Sequence, residues 1–322
     1  MLKIIAIAAI SILGLLSVGS YFAWRYPIEL LSHFRSQYLV LSLIITGILF
    51  LFLQRGIFKG KILIIASLAI VGLNTVEVLP WFLPHSQQVS SNTKPQIRIE
   101  SFNVNIENQE YQAAINVVRN DNPNVALFIE IQDEWFKKLK TGLKDVYPYS
   151  FRSPGGGLAI FSQIPLEDVG GINLDGVGHH LIANLEVNGK LIHFIGTHPF
   201  VPVKPSTFQR RNLQLLALEK YIQQQQKPVI IAGDFNLTPW SPYYRKFIKK
   251  TGLHNTRLGF GTLPSWPHPT TYIKKIPSWL MPLINIPIDH CFVSKEFGVV
   301  NTRISGSGNS DHAAIIVDLI LR

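Results

Sequence analysis

The chain has 322 residues, 30 of them basic and 20 acidic, giving a formal net charge of +10, and only 16% are charged. Hydrophobic residues reach 47% and mean hydropathy is positive, at +0.21. This excludes disorder, which needs low hydrophobicity and high charge density. The single cysteine, Cys291, excludes an intrachain disulfide framework and a cysteine zinc cage.

The charge is unevenly placed. Residues 1–83 hold six basic residues (Lys3, Arg25, Arg35, Arg55, Lys59, Lys61) and two acidic ones, Glu29 and Glu77. Residues 84–322 keep an ordinary soluble composition with a net charge of +6. Three apolar runs fill the first quarter, at 4–24, 38–53 and 62–83, and only Glu77 interrupts them. About 20 apolar residues cross ~30 Å of hydrocarbon. The second run is at the short margin, where bilayer thinning or snorkelling flanks accommodate it. A signal peptide fits the first run less well, because the run is too long and Tyr21-Phe22-Ala23-Trp24 is a poor cleavage site. With no polar face, the three runs read as transmembrane helices rather than core helices.

Loop charge sets the expected orientation. Lys3 and the 54–61 loop, with Arg55, Lys59 and Lys61, belong inside. The C-terminal domain then lies outside the cytoplasm. Trp24, Trp81 and Phe82 fall where interfacial aromatics sit. Residues 84–96 are polar and rich in Ser, Asn and Pro, and read as a linker.

Residues 97–322 alternate strands and helices. Strands are predicted at 97–102, 125–129, 158–162, 180–187, 191–197, 228–232, 286–293, 299–305 and 313–321. Helices are predicted at 110–120, 133–143, 206–224 and 242–251. Asn188-Gly189 signals a type I′ hairpin. The fold class is α+β in layers rather than a purely parallel wound sheet.

Polar residues recur where these strands stop: Asn103, Glu130, His198, Asp234 with Asn236, Asp289, and Asp311-His312. A sheet can hold such side chains rigidly. Glu130, Asp234, Asp289 and Asp311 would repel one another if brought together. A divalent cation removes that conflict, and oxygen donors suit Mg²⁺ or Mn²⁺. Asn103 and Glu130 are the first ligands to name.

GDFN at 233–236, SDH at 310–312, the Asn of SFNVN and the Glu of ALFIE resemble the endonuclease/exonuclease/phosphatase superfamily. The resemblance runs from about Ile97 to Leu321. It implies a four-layer α/β sandwich with two central sheets and Mg²⁺-dependent cleavage of phosphoesters. It carries Asn103 and Glu130 over as metal-site residues, His198, Asp234, Asn236, Asp289 and His312 as catalytic residues, and Asp311 as a further metal ligand. It also implies in-line attack by a water that Asp234 deprotonates, with Asp289 fixing the His312 ring. Three positions depart from the family pattern: Asn105 stands where some members have Asp, Gln163 where many have Arg, and His290 where Tyr is commoner.

Asn105, Arg211, Trp266 and Thr270 are candidate substrate contacts. Alone, Asp234-Phe235-Asn236 would pass as an Asx turn and Glu130 as a helix cap. For Arg211 a solvated helix face is the bland alternative. The Asn236-Leu237-Thr238 sequon is rejected, because a glycan there would block the site. Two substrate classes compete: nucleic acid, which the net charge suits, and a phospholipid or inositol phosphate, which membrane segments would bring close. A binding protein that has lost catalysis is the third reading, and the full set of catalytic positions argues against it.

Overall fold

The computed structural model describes residues 2–57, 61–272 and 276–322. Lys59, used above for orientation, lies outside the described residues.

The first quarter is a helical bundle. Its helices are α1 (Leu2–Gly19), the short α2 (Ile28–Leu31), α3 (Arg35–Gln54) and α4 (Ile62–Val78). The spans Leu2–Phe22, Ile28–Gln54 and Ile62–Phe82 are long and apolar enough to cross a membrane. Their outward faces are apolar, with Ile4, Leu15, Ile62 and Val76 all exposed. Inside, Asn74 Nδ2 donates to Ser17 Oγ at 2.9 Å and Arg35 Nη1 donates to Asn74 Oδ1 at 3.0 Å. These bonds put the end of α1, the start of α3 and the end of α4 side by side. Arg55 and Lys61 are at the opposite end of the bundle.

The rest is a two-sheet sandwich. The first sheet has the order β11-β12-β1-β2-β4-β3 and the second β5-β6-β7-β8-β10-β9. The strands of the first are β1 (Ile97–Asn103), β2 (Val125–Ile129), β3 (Tyr149–Arg152), β4 (Leu158–Ser162), β11 (Phe297–Ile304) and β12 (Ile315–Leu321). Those of the second are β5 (Glu167–Leu174), β6 (Gly178–Val187), β7 (Lys190–Thr197), β8 (Val229–Asp234), β9 (His254–Asn255) and β10 (Asp289–Val293). Apolar residues of both sheets, among them Ile99, Leu127, Phe194 and Ile230, fill the space between them.

Helices α5 (Tyr111–Asp121) and α6 (Asp133–Gly142) cover the outer face of the first sheet, where Ile115, Val118 and Trp135 pack on Phe102 and Phe128. Helices α7 (Pro205–Gln223) and α8 (Pro242–Thr251) cover the second, where Leu218 and Phe247 pack on Ile231 and Phe292. The short α9 (Met281–Ile284) precedes β10. This is the four-layer arrangement expected.

Each sheet has one parallel pair near its centre, β1 with β2 and β7 with β8. The antiparallel neighbours β12 and β10 run the other way. Hence the ends of β1, β2, β7 and β8 and the starts of β10 and β12 meet at one edge of the sandwich. At the hairpin, Asn188 (φ +51°) and Gly189 (φ +77°) take the left-handed conformations that a type I′ turn needs.

Two features depart from the expected layout. The stretch read as a linker is pinned along β11, with Val89 N donating to Val299 O and Val299 N to Gln87 O. The bundle also docks closely on the sandwich. Trp240 Nε1 donates to Glu77 O, Tyr243 OH to Trp24 O, and Gly259 N and Gly261 N both to Trp81 O.

Candidate active site

The site sits where those strand ends converge. Asp234 closes β8 opposite Asp289, its register partner on β10. Gly233 lets β8 lie this close to β7. Its φ is +154°, and a Cβ there would collide with the Thr197 carbonyl of β7. Glu130 follows β2 at φ +65° and Asn236 sits at φ +51°. Left-handed backbone at non-glycine residues costs energy, and such positions cluster at functional sites.

Asn103 Nδ2 donates to Glu130 Oε1 at 3.0 Å and to Asp234 Oδ2 at 3.2 Å. Ile106 N donates to Glu130 Oε2 at 2.9 Å. His312 Nδ1 and Asp289 Oδ2 are 2.9 Å apart. His312 Nε2 stands 3.7 Å from Asp234 Oδ2, and His198 Nε2 stands 3.6 Å from the same oxygen and 3.9 Å from Glu130 Oε1.

Burial alone would lower the His312 pKa, but the carboxylates around it, Asp289 first, win and push it up to about 10. Burial raises Asp234, and the Asp289 charge adds to it, to about 8. Burial would raise Asp289 too, but His312 holds it below its ordinary value. Burial lowers His198. The pocket therefore separates a protonated imidazole from a carboxyl of unusual basicity, a division that suits acid–base work.

The carboxylates also have room for a cation. Asp234, Asp289 and His312 offer ligand atoms within 4.8 Å of one another. Asp289 Oδ1 is buried without a hydrogen-bond partner among the described residues. Glu130 and Asp234 share a single amide donor. The buried cluster of Asp234, Asp289 and His312 fits a divalent cation, with Glu130 joined to Asp234 through the Asn103 amide.

This differs in part from the expected ligands. Asn103 turns its amide nitrogen to the carboxylates, while its Oδ1 accepts from Asn105 N at 3.1 Å. As placed it is a clamp between two carboxylates. Both Asp311 oxygens are taken, Oδ1 by Asn105 Nδ2 at 2.6 Å and Oδ2 by Trp266 Nε1 at 2.9 Å. Asn105 and Trp266 thus orient Asp311 at the pocket rim. Asn236 donates its side chain to Pro199 O at 3.0 Å, and its N–H to Asp234 Oδ1 at 2.9 Å. The Asx turn and the site are the same structure.

Two candidate substrate contacts fall elsewhere. Arg211 is buried rather than facing a substrate. It pairs with Glu29 at 3.3 Å and donates to Asn236 O at 3.1 Å. Helix α7 turns that face toward the bundle, so charge on a helix here means an internal tie. Thr270 is half-buried on the loop beyond Trp266, outside the cavity lining. Of the three departures from the family pattern, Gln163 bonds to Asn122 and Asn124. His290 lies behind the site, accepting from Asn255 and Arg257 and donating to Leu237 O at 2.9 Å.

The sequence reading missed one whole side of the site. Leu30, His33 and Phe34, from the segment between the first two long apolar helices, line the same cavity as Asp234 and His312. Glu29 beside them is fully buried and accepts from Ser241 Oγ at 2.6 Å. Glu29, the single acid of the loop between the first two apolar runs, was the available signal.

The family model described as the endonuclease/exonuclease/phosphatase family matches residues 101–312. A search of curated proteins by sequence found no match. Solved structures match the fold. An endonuclease/exonuclease/phosphatase from Beutenbergia cavernae has a TM-score of 0.55 at 20% identity, covering 71% of this chain and 72% of that one. D. rerio TDP2 complexed with a single-strand DNA product has a TM-score of 0.56 at 17% identity, covering 70% and 98%. Staphylococcus aureus beta toxin has a TM-score of 0.50 at 20% identity, covering 69% and 99%.

Proposed function

The chain belongs to the endonuclease/exonuclease/phosphatase family of metal-dependent phosphoester hydrolases, and on that footing we propose that it is a membrane-anchored phosphodiesterase working by in-line attack of water. The observation that carries this reading is the meeting of Asp234, Asp289, His312, Glu130 and His198 in one pocket, with His312 Nε2 3.7 Å from Asp234 Oδ2.

Glu130, Asp234 and Asp289 would hold a divalent cation, Mg²⁺ or Mn²⁺, which when bound supplies positive charge to the phosphoryl oxygens. Asp234 orients the attacking water and takes its proton. The new P–O bond forms as the bond to the leaving oxygen breaks. His312 gives its proton to that oxygen, and Asp289 keeps the ring charged and oriented beforehand. Proton transfer from Asp234 to His312 then restores both. His198, neutral and aimed into the pocket, bonds the developing charge on the phosphate. Asn103 holds Glu130 and Asp234 at fixed separation.

Arg55 and Lys61 lie at the bundle end remote from the catalytic domain, which supports a domain outside the cytoplasm. The test is turnover of bis(4-nitrophenyl) phosphate by the full chain in detergent, with Mg²⁺ or Mn²⁺ and with chelator. The proposal expects release that chelator stops and Asp234→Asn reduces at least ~100-fold. Release that survives both overturns it.

A further inference from the structure

The catalytic cavity has about 440 Å³ of space and two kinds of wall. Its floor is polar, with Glu130, Asp234, Asn236 and His312. Its sides are hydrocarbon: Leu30, Phe34, Val201, Val203 and Ile286. Val201 and Val203 are 46% and 59% exposed at its mouth. No Lys or Arg lines it among the described residues.

A nucleic acid carries a charge at every phosphate, and its binders neutralise several of them with Lys or Arg. The lining offers none among the described residues. Apolar side chains clustered at a cleft mark a surface that some apolar group covers. The covering group must also carry a phosphoester to the floor. Leu30 and Phe34 lie within the span Ile28–Gln54, so the hydrocarbon wall runs directly into a helix long enough to cross a membrane.

We infer that the substrate is a membrane lipid phosphoester, its phosphate on the Asp234–His312 floor and its hydrocarbon against Leu30 and Val203. This rests on the phosphodiesterase reading above. It gives the segment between α1 and α3 a role in specificity, since that segment supplies one wall of the cavity.

The test uses the full chain in nanodiscs with two esters sharing one reacting group, 4-nitrophenyl ethyl phosphate and 4-nitrophenyl dodecyl phosphate. A buried methylene is worth roughly a fourfold change, so a wall covering only part of the chain predicts a dodecyl-to-ethyl ratio of kcat/KM of at least ~30. The double variant Leu30→Ser/Val203→Ser should cut that ratio at least ~10-fold. Leu283→Ser removes an exposed leucine outside the cavity and should keep the ratio, which separates the wall from simple partitioning into the bilayer. A ratio near one in the wild type, an unchanged ratio in the double variant, or a plasmid nicked faster per kcat/KM than the dodecyl ester overturns the lipid assignment. Absence of cation-dependent release from both esters overturns the phosphodiesterase reading itself.

Discussion

Removing the Glu29 carboxylate should unsettle the catalytic loop from a distance. Glu29 and Arg211 are both fully buried and stand 3.3 Å apart. His33 Nε2 is 3.4 Å from the other Glu29 oxygen, and the His33 ring meets Thr238 Oγ1 at 3.0 Å. Arg211 also holds Asn236 O. One acid therefore ties three points of the 234–241 loop, Asn236, Thr238 and Ser241, to the bundle. Breaking a buried pair by removing one partner costs about 3–5 kcal/mol, because a buried charge is left unmatched. Glu29→Ala should lose that much, which at this size lowers Tm by roughly 6–20 °C. Arg211→Met alone should cost a similar amount, while the double variant should recover at least ~2 kcal/mol of the sum. Thermal unfolding of all four proteins in one detergent reads the cycle. Additivity within ~0.5 kcal/mol would refute the reasoning, and the bundle would then be a tether only.

Two further outcomes follow from local geometry. His180 is buried, and burial pulls its pKa down to about 4, so the fold favours the neutral ring. The resulting stability is fully present above the unfolded value of ~6.5 and is lost as pH falls toward 4, by roughly 3 kcal/mol. The destabilisation caused by His180→Gln should therefore shrink by about that much between pH 7 and pH 4 in denaturant titrations, and a constant difference would contradict it. Gly233→Ala should destabilise by about 3 kcal/mol or more, since its Cβ meets backbone rather than a flexible side chain. Chemical unfolding showing less than ~1 kcal/mol would contradict the tight β7–β8 contact at Gly233.

Much of the sandwich was legible because its central strands are buried on both faces. Val125–Ile129 and Leu158–Ser162 read as apolar runs and form β2 and β4 with those bounds. The edge strands β3 and β5 escaped. Tyr149–Arg152 is four residues long, and Glu167–Leu174 carries two acids and two glycines. Such composition is how edges avoid pairing with other chains, and it erases the strand signal. The strand-end acids and histidines were legible for the opposite reason, as polar residues terminating apolar runs. What Asn103 and Asp311 bond to was not legible, because side-chain direction depends on neighbours such as Asn105 and Trp266. The bundle's share in the site was hidden as well. Leu30 and Asp234 are some 200 positions apart, and no periodicity reports such docking. Arg211 was misread by the same gap, since its partner Glu29 lies in the bundle.

The central claim, attack of water on phosphorus at Asp234, is tested most directly by isotope placement. The full chain would hydrolyse bis(4-nitrophenyl) phosphate in ¹⁸O-enriched water, with ³¹P resonance locating the label. The account predicts one ¹⁸O on the phosphorus of the product, formed only with a divalent cation and lost in Asp234→Asn. Label in the released nitrophenol, or labelled phosphate formed equally by Asp234→Asn, would contradict it.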